Sequence, residues 1–372
     1  MLDVTLIVLC AGNSSRFEHK TKKQWIRIDN EPLWLNVTKR LSKFADFDKI
    51  IVTSHENEVK YMQNFTDDFS FVVGGDTRQE SIKNSLQKVT SKYVMITDVA
   101  RAGIPQSVIK NLLENKESSD CIVPVLNVSD TVIYNEETIN RDNVKLIQTP
   151  QLSNTQILKN SLLTNIEYTD DSSAIKANNG TVKYVQGSIK SKKLTFGDEL
   201  EEMDFLQAAS NNFFTGTGFD IHQFEDNKEM YLGGVKLDCD FGFKAHSDGD
   251  VLIHSVIDAL LGAAGAGDIG EFFPDTDEKY KGIDSKILLQ EIVSFIYNVG
   301  YEIVNVDLTI IAQKPKINPV KNEIKSSMAK LLQIEKQFVN IKATTAEKMG
   351  FIGRSEGVAV QSIATLKYYN WK

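Results

Sequence analysis

Short apolar runs alternate with amphipathic stretches of helical length through the first third of the chain. The apolar runs are rich in β-branched residues and predict strands at 6–11, 49–54, 70–73 and 93–98. The stretches between and after them predict helices at 32–44, 56–65, 77–89 and 105–114, the third with Asp76 as its N-cap. This βαβ order predicts a Rossmann-like, mostly parallel sheet, with ligands at the carboxyl ends of its strands.

The pattern changes in the second half of the chain. It predicts a strand at 217–222, a hairpin around Gly233 and Gly234, helices at 250–261, 285–299 and 319–332, and strands at 302–312, 340–344 and 357–366. This order favours an α+β domain with helices on one face of a sheet. Only 7 of the 22 glycines precede residue 213, and an acidic stretch at 197–211, predicted to be helical, lies at the change. We therefore predict two domains, 1–209 and 213–372.

The composition is typical of a soluble two-domain protein, and it limits the classes of partner that the protein can bind. A chain of 372 residues exceeds the size of a single core, and 41% hydrophobic with 25% charged residues is typical of globular proteins. The apolar runs are shorter than the roughly 20 residues of a membrane helix, and no basic signal-peptide head opens the chain, so we expect no membrane association and a cytoplasmic enzyme. Three widely spaced cysteines predict free thiols. The net charge is −8 and neither half has a basic surplus, which argues against nucleic-acid binding but leaves small anions possible.

Small and charged residues cluster at the predicted strand ends of the first domain. Gly12–Arg16 follows the first strand and precedes Lys22–Gln24. A small-residue loop lets backbone N–H groups approach phosphates, which Arg16 and Lys23 would neutralise. Alone, this loop is equally typical of an ordinary turn with solvated cations. Core packing rarely produces the further clusters, which are 74–81, 98–101, Arg141 with 149–151, 169–171, and Lys193.

Together these segments resemble the 2-C-methyl-D-erythritol 4-phosphate cytidylyltransferases, nucleotidyltransferases of the non-mevalonate isoprenoid pathway. The likeness covers 1–208, and its most specific parts are Gly-Gly-Asp-x-Arg-x-x-Ser and the spacing from Arg141 to Thr149. Two residues depart from the family pattern A-G-x-G-x-R and P-K-Q: Ser14 stands where glycine is usual and Lys22 where proline is usual. Residues 98–102 read D-V-A-R-A instead of D-A-A-R-P.

The resemblance implies roles for individual residues. It makes Arg16, Lys23 and Lys193 the catalytic cations on the CTP phosphates, and Gly12, Gly75, Asp76 and Ser81 the CTP-binding residues. It assigns methylerythritol phosphate to Asp98, Arg101, Arg141, Thr149 and Thr169, with Arg141 reaching in from a dimer partner. From the residues alone, Asp98 is also compatible with a strand-end turn and Thr169–Asp170 with a helix cap.

Three of the five histidines, His222, His246 and His254, lie within 33 residues of the second domain. On a strand, Asp220 and His222 point to one face, and on the following helix Asp250, His254 and Asp258 form one stripe. Any one histidine is more typical of a satisfied core residue. Asp220, His222 and His254 together supply three N and O ligands with a vacant fourth position, which favours catalytic zinc.

The surrounding motifs resemble 2-C-methyl-D-erythritol 2,4-cyclodiphosphate synthases over 213–370. They are T-G-x-G-F-D-I-H, A-H-S-D-G-D-V-x-x-H, G-D-I-G-x-x-F-P-D-T-D, A-Q-K-P-K and G-R-S-E-G. The resemblance implies zinc, or a similar divalent cation, on Asp220, His222 and His254. It makes His246 and Glu347 catalytic, the latter holding magnesium or manganese between the substrate phosphates. The implied substrate-binding residues are Ser247, Asp268, Gly270, Asp275, Ala312, Pro315, Lys316, Thr344, Thr345, Phe351 and Arg354, with Phe351 and Arg354 at a cavity on a threefold axis.

The two resemblances predict a fused bifunctional enzyme that converts CTP and methylerythritol 4-phosphate to a cytidine diphosphate derivative, and later cyclises the phosphorylated derivative with release of CMP. Both reactions would use magnesium or manganese. No P-loop kinase motif is present, so a separate kinase must act between the two steps. Dimeric and trimeric contacts together imply a homo-oligomer, with a hexamer as the symmetric solution. Two alternatives are a nucleotidyltransferase for another sugar phosphate and a non-catalytic scaffold that binds cytidine nucleotides.

Overall fold

The computed structural model describes residues 2–164, 166–245, 247–274 and 276–372, with Leu2 described by its backbone only. The chain divides into two compact units: the first ends at Gln207 and also includes Lys372, and the second covers Ala208–Trp371. Cys10 and Cys121 are buried free thiols, and Cys239 is a half-buried one. Among the described residues, no helix has both the length and the apolar character needed to cross a membrane.

The first unit alternates strands and helices before a strand-rich excursion. Its strands are β1 (Leu2–Leu9), β2 (Arg27–Ile28), β3 (Glu31–Pro32), β4 (Phe47–Ser54), β5 (Ser70–Val73), β6 (Tyr93–Asp98), β7 (Cys121–Asn127), β8 (Val132–Tyr134), β9 (Glu137–Ile139), β10 (Lys145–Ile147), β11 (Gln151–Asn154) and β12 (Val182–Gln186). Its helices are α1 (Leu33–Ser42), α2 (Glu56–Gln63), α3 (Arg78–Leu86), α4 (Gln106–Glu114), α5 (Thr155–Ser161) and α6 (Asp171–Ala177).

The main sheet of this unit has the order β10-β7-β11-β6-β1-β4-β5, with β12 also on β7. Strands β5, β4, β1 and β6 are parallel, whereas β11 runs antiparallel to β6 and β7. Ile7, Ile51 and Ile96 are buried in one apolar core with side chains of α3, α5 and α6. Since parallel strands end at one edge, the ends of β1, β4 and β6 lie together, and Leu9, Thr53 and Asp98 line a common cleft there.

The predicted elements of residues 1–114 are confirmed within a few residues at their ends, but two local predictions are wrong. Thr77, not Asp76, caps α3: its side chain accepts from the Glu80 N–H, and the Glu80 side chain accepts from the Thr77 N–H. This reciprocal capping box satisfies two otherwise unpaired donors, which Asp76 one residue earlier does not do.

The stretch 197–211 is not an α-helix. It forms a 3₁₀ turn at Asp198–Leu200 and continues in turns that bond Met203 N to Leu200 O and Leu206 N to Met203 O. Leu200, Met203 and Leu206 are buried. A spacing of three residues matches the 3₁₀ period and not that of an amphipathic α-helix.

The second unit is an α+β domain. Its strands are β13 (Phe213–Asp226), β14 (Met230–Leu232), β15 (Val235–Leu237), β16 (Phe241–Phe243), β17 (Tyr301–Ile311), β18 (Val339–Thr344) and β19 (Gly357–Tyr368). Its helices are α7 (Val251–Ala264), α8 (Ile269–Phe272), α9 (Ser285–Asn298), α10 (Lys321–Leu332) and α11 (Gly350–Gly353).

The sheet order is β16-β13-β19-β17-β18, and α7 packs across β13 and β19 while α9 packs on β17. Glycines on β13 permit the close approach of α7: a Cβ on Gly218 would lie 1.8 Å from Ser255 O. The predicted fold class is thus confirmed for both parts of the chain.

Candidate active sites

The cleft of the first unit lies at the carboxyl ends of β1, β4 and β6 and has a volume of about 430 Å³. Seven of the predicted site residues line it: Gly12, Lys23, Gly75, Asp76, Ser81, Asp98 and Lys193. Sequence positions as far apart as 12 and 193 therefore meet in one place. The carboxyl ends of β1 and β6 bring Gly12 and Asp98 together, and the hydrogen bond from Leu194 N to Ala100 O holds the loop of Lys193 beside them.

Asp98, at the end of β6, is the anionic centre of this cleft. Its Oδ2 accepts from Lys193 Nζ at 2.7 Å, and its Oδ1 accepts from Arg78 Nε at 3.3 Å. Burial alone would raise the pKa of Asp98, but attraction by Arg78 and then Lys193 lowers that pKa to about 2. The carboxylate therefore stays charged and holds Lys193 at the cleft.

Lys23 lies near two other cations, Lys193 and Arg16, as well as the carboxylates Asp98 and Glu199. Its Nζ donates to Leu194 O at 3.1 Å, and burial lowers its pKa, followed by repulsion from Lys193 and Arg16. Arg16 is exposed beside the cleft. Mutual repulsion of three cations is relieved by a polyanion, so this wall is suited to a polyphosphate.

The segment after β5 forms the other wall. The Gly75 N–H donates to Ser81 Oγ at 3.1 Å, and Ser81 Oγ donates to Thr77 O at 3.0 Å, which fixes the loop on the start of α3. A Cβ on Gly75 would lie 2.3 Å from Glu80 Cβ, so only glycine fits here.

Five predicted residues of this unit do not line the cleft. Thr149 is buried below it, where its Oγ1 accepts from the Asp98 N–H at 3.3 Å. Arg101 donates to Ser191 O at 2.7 Å and so anchors the turn that precedes Lys193. Arg16 stands outside the lining, Thr169 is exposed before α6, and Arg141 is exposed in the 3₁₀ turn Arg141–Asn143.

Among the residues that the sequence analysis missed, Arg78 lines the cleft and Asp171 pairs with it. Arg78 Nη1 donates to Asp171 Oδ1 at 2.8 Å while its Nε holds Asp98, which joins α3, β6 and α6. Burial raises the pKa of Asp171, although Arg78 opposes the shift. The sequence signal was present, since both residues belong to the charged clusters at 74–81 and 169–171.

In the second unit, Asp220, His222 and His254 meet as predicted. His222 Nε2 lies 3.0 Å and His254 Nδ1 lies 3.4 Å from Asp220 Oδ2. One ligand atom from each residue lies within 4.8 Å of the other two. The three side chains therefore form a compact set of two nitrogens and one oxygen.

Hydrogen bonds on the far side of each ring determine which nitrogen faces Asp220. His222 Nδ1 lies 2.7 Å from the carbonyl of Gly249, which can only accept, so Nδ1 carries the hydrogen. Ser285 Oγ donates to Asp248 Oδ1, so it accepts from His254 Nε2 at 3.0 Å. In neutral rings, His222 Nε2 and His254 Nδ1 are therefore bare and point at a carboxylate oxygen.

Such an arrangement requires a positive charge. Burial would lower the pKa of His222, but Asp220 raises it overall, and the two histidines lower the pKa of Asp220 despite its burial. A proton or a metal ion satisfies the three atoms, and a set of one carboxylate oxygen and two imidazole nitrogens fits zinc or a similar divalent ion.

This set lies in the wall of a cavity of about 530 Å³. The predicted residues Ser247 and Gly270 also line it, and so do Lys244, Lys281 and Tyr280, which sequence reasoning missed. The other lining residues are Ala245, Asp258, Ile269, Phe273, Thr276, Asp277, Glu278, Ile283 and Leu288. Asp268 does not line the cavity; it caps α8 by accepting from the Glu271 N–H. Of the remaining predictions, His246 and Asp275 lie outside the described residues.

The other predicted residues of this unit form a separate group at the ends of β17 and β18. Ala312 N donates to Thr344 O at 3.0 Å, and Thr345 Oγ1 donates to Glu347 Oε1 at 2.7 Å. Pro315 and Lys316 belong to the same group by position, in the loop after β17. This group does not line the described cavity. Phe351 is 40% exposed on α11, and Arg354 pairs with Glu356 at 2.7 Å on the surface.

Comparison with known proteins gives matches over both units. Residues 4–208 match the family 2-C-methyl-D-erythritol 4-phosphate cytidylyltransferase, and residues 213–367 match the YgbB family. The bifunctional enzyme IspD/IspF of Aliarcobacter butzleri is 78% identical, with 100% of both chains covered. The enzyme of the same name from Campylobacter fetus is 52% identical over 100% of this chain and 99% of its own. The solved structure of the bifunctional IspDF from Campylobacter jejuni is 47% identical, covers 99% of both chains and superposes with a TM-score of 0.87.

Proposed function

The chain belongs to the bifunctional IspD/IspF enzymes of the non-mevalonate isoprenoid pathway, with cytidylyltransferase and cyclodiphosphate synthase activities, and we propose which of its residues perform each reaction. The first cleft joins CTP to 2-C-methyl-D-erythritol 4-phosphate and releases pyrophosphate. The second closes CDP-methylerythritol 2-phosphate into the 2,4-cyclodiphosphate and releases CMP. One observation supports this assignment most strongly. A single chain contains both a cleft lined by cations around Asp98 and a set of three side chains, Asp220, His222 and His254, that could hold a metal ion.

In the first reaction, a substrate phosphate oxygen attacks the α-phosphorus of CTP in line with the departing pyrophosphate. Arg16, Lys23 and Lys193 face the charge of the transition state, so catalysis consists of positioning and charge stabilisation. The open backbone at Gly12 and Gly75, with Asp76 and Ser81, holds the nucleoside side.

Methylerythritol phosphate binds beside Asp98, on the side of Arg101 and Thr149. The two remaining predicted contacts, Arg141 and Thr169, are exposed here. Arg141 follows the β8–β9 hairpin, whose Ile133 and Tyr134 are 68% and 66% exposed. Exposed apolar side chains on a hairpin support a dimer contact that brings Arg141 to the partner's cleft.

In the second reaction, the 2-phosphate oxygen attacks the β-phosphorus of the same molecule and the bond to CMP breaks. Asp220, His222 and His254 would hold zinc or a similar divalent cation, and Glu347 a magnesium or manganese ion. These ions, when bound, supply Lewis-acid stabilisation of the phosphate charge. The role of the chain is to bend the substrate so that its two phosphates meet, with His246 and Ser247 at the β-phosphate and Asp268, Gly270 and Asp275 at the methylerythritol unit.

Ala312, Pro315 and Lys316 would form the cytosine pocket, and Thr344 and Thr345 the phosphate contacts. Because this group does not line the cavity within one chain, we propose that each complete site combines the cavity of one subunit with this group from a neighbour. Gly218 faces α7, so by strand alternation Phe219 and Ile221 point to the opposite face of the sheet, where they are 58% and 40% exposed. These exposed apolar side chains support a trimer packed through that face, with Phe351 and Arg354 at its axis.

Dimer contacts from the first unit and trimer contacts from the second combine in a hexamer. Multi-angle light scattering should therefore give a mass of six chains. A monomer at micromolar concentration would refute the shared sites in both units.

The direct test supplies methylerythritol 4-phosphate, CTP and Mg²⁺ to the full chain and measures pyrophosphate. We expect release that depends on both substrates. Addition of CDP-methylerythritol 2-phosphate, the product of a separate kinase, should release CMP. Pyrophosphate release with a hexose 1-phosphate in place of methylerythritol 4-phosphate would favour a nucleotidyltransferase of other specificity. CTP binding without pyrophosphate release would favour a binding scaffold.

A further inference from the structure

Ser14 and Lys22, the two departures from the usual loop sequence, have the backbone conformations that glycine and proline would favour at these positions. Ser14 has a φ of +56°, in the left-handed region that normally favours glycine. Lys22 has φ −67° and ψ 140°, and a φ near −65° is the value that a proline ring enforces. Neither residue imposes its conformation intrinsically, so side-chain contacts have to hold the loop.

Ser14 supplies one such contact. Its Oγ accepts from the Lys23 N–H at 3.1 Å and donates to Gln24 Oε1 at 3.1 Å. Gln24 Nε2 in turn donates to Gly12 O at 3.0 Å. This ring of hydrogen bonds ties the loop after β1 to the backbone of Lys23.

Lys22 supplies the second contact through a buried ion pair. Its Nζ lies 2.5 Å from Glu58 Oε1, and the two side chains are 11% and 3% exposed. The other Glu58 oxygen accepts from Trp25 Nε1 at 2.6 Å. Trp25 also stacks on Tyr61, which lies on α2 like Glu58, with 5.3 Å between the ring centroids. The segment 22–25 is thus fixed to α2 at both ends.

Lys23 lies between these two fixed points and is the residue of the pair Lys22–Lys23 that reaches the cleft. Lys22, engaged by Glu58, does not line it. The two adjacent lysines therefore have different tasks: one faces the ligand, and the other is used inside the protein.

We propose that Lys22, Glu58 and Ser14 form a positioning set that aims Lys23 at the CTP phosphates. The buried ion pair takes over the conformational restriction that a proline would provide at position 22, and the Ser14 hydroxyl fixes the Lys23 backbone. The proposal rests on the proposed role of Lys23. The three residues act through Lys23 and do not touch the substrate.

Two double variants of the full chain test the proposal. Lys22→Met with Glu58→Gln removes both charges but keeps an acceptor for Trp25. Lys22→Pro with Glu58→Gln removes the same charges but restores the restriction of φ. We expect the Met variant to lose about tenfold in kcat/KM for CTP, with KM for methylerythritol phosphate changed less than about twofold, and the Pro variant to return to within about threefold of wild type.

Two controls isolate the effect. Lys39→Met breaks an exposed ion pair with Glu31 in the same unit and should leave kcat/KM unchanged. A thermal unfolding curve like that of the wild type reports that the first unit is folded, since CMP release reports only on the second unit. If the Met variant does not fold, Ser14→Ala tests the same set, with an expected loss of about fivefold for CTP.

Equal activity of the two double variants, or wild-type kcat/KM in folded Ser14→Ala, would overturn the proposal, because a purely structural ion pair gives no rescue by proline. Absence of pyrophosphate release from the wild-type chain would instead refute the proposed function. The two failures are therefore distinguishable.

Discussion

His254→Ala should reduce CMP release by at least about 100-fold while pyrophosphate release stays within about twofold of wild type. The substitution removes one of the two nitrogens that converge at Asp220 Oδ2 and leaves a carboxylate and one imidazole, too few to hold a divalent ion. The cytidylyltransferase cleft lies in the other compact unit and contains none of these residues. Metal content by plasma mass spectrometry and both product assays on one preparation measure the result.

A milder substitution distinguishes the loss of metal binding from a general loss of folding. Ser285→Ala removes the nearer of the two hydroxyls beside His254 Nε2, at 3.0 Å against 3.4 Å for Ser247 Oγ, so the ring is held less firmly with Nδ1 bare. Metal affinity should fall about 10- to 100-fold with partial activity. Ser326→Ala, on an exposed helix surface, is the matched control and should change nothing. A folded His254→Ala that keeps CMP release, or that loses both activities, contradicts the assignment.

Local periodicity explains why so much of both sites was predictable. Strands β1, β4 and β6 each contain an apolar run, so Gly12 and Asp98 were predicted correctly near strand ends that share one edge of the sheet. The alternation Asp220-x-His222 on a strand fixes a common face, and a helical position places His254 one turn after the N-cap Asp250. These relations span a few residues each, which is the range that a sequence pattern encodes.

Relations over longer distances were not predictable in the same way. Arg78 and Asp171 are 93 positions apart, and only the packing of α3 against α6 and β6 brings them together. Lys244 and Lys281 join the second cavity from loops without periodicity. Asp250 fell on the predicted stripe with His254, but it is buried and accepts from the Gly233 and Gly234 N–H groups, so it supports the hairpin and not the metal set.

The strand-rich excursion from β7 to β12 was also missed. Its strands include three-residue elements such as β10, whose side chains are exposed throughout, so no alternation of buried and exposed positions marks them. The group around Thr344 and Glu347 was predicted from resemblance alone. These residues are not among those that line the described cavity, which is the basis of the proposal that a neighbouring chain completes the site.

Lys23→Met should reduce kcat for pyrophosphate release by about 100- to 1,000-fold, the range seen when one preorganised charge-stabilising donor is removed. Lys23 lines the cleft between the Gly12 loop and Lys193, and its charge is already disfavoured by burial and by its cationic neighbours. A bound phosphate would therefore stabilise the charged form of Lys23, and Lys23 would in turn stabilise the phosphate charge. Rapid-quench measurement of pyrophosphate with saturating substrates gives kcat. CMP release should remain unchanged, and an unaltered thermal unfolding curve is the folding control for the first unit.

The pH dependence provides the independent check on Lys23. Burial, then Lys193 and Arg16, lower its pKa from the usual 10.5, so the ammonium is present below that lowered pKa and is lost as pH rises through it. The profile of kcat/KM for CTP, which reports the free enzyme, should therefore fall on an alkaline limb below pH 10.5. Lys23→Arg keeps a charge at these pH values and should move the limb upward, at reduced kcat because the guanidinium is larger. An alkaline limb at the same pH in wild type and Lys23→Arg would show that another group titrates there and that Lys23 does not carry the transition-state charge.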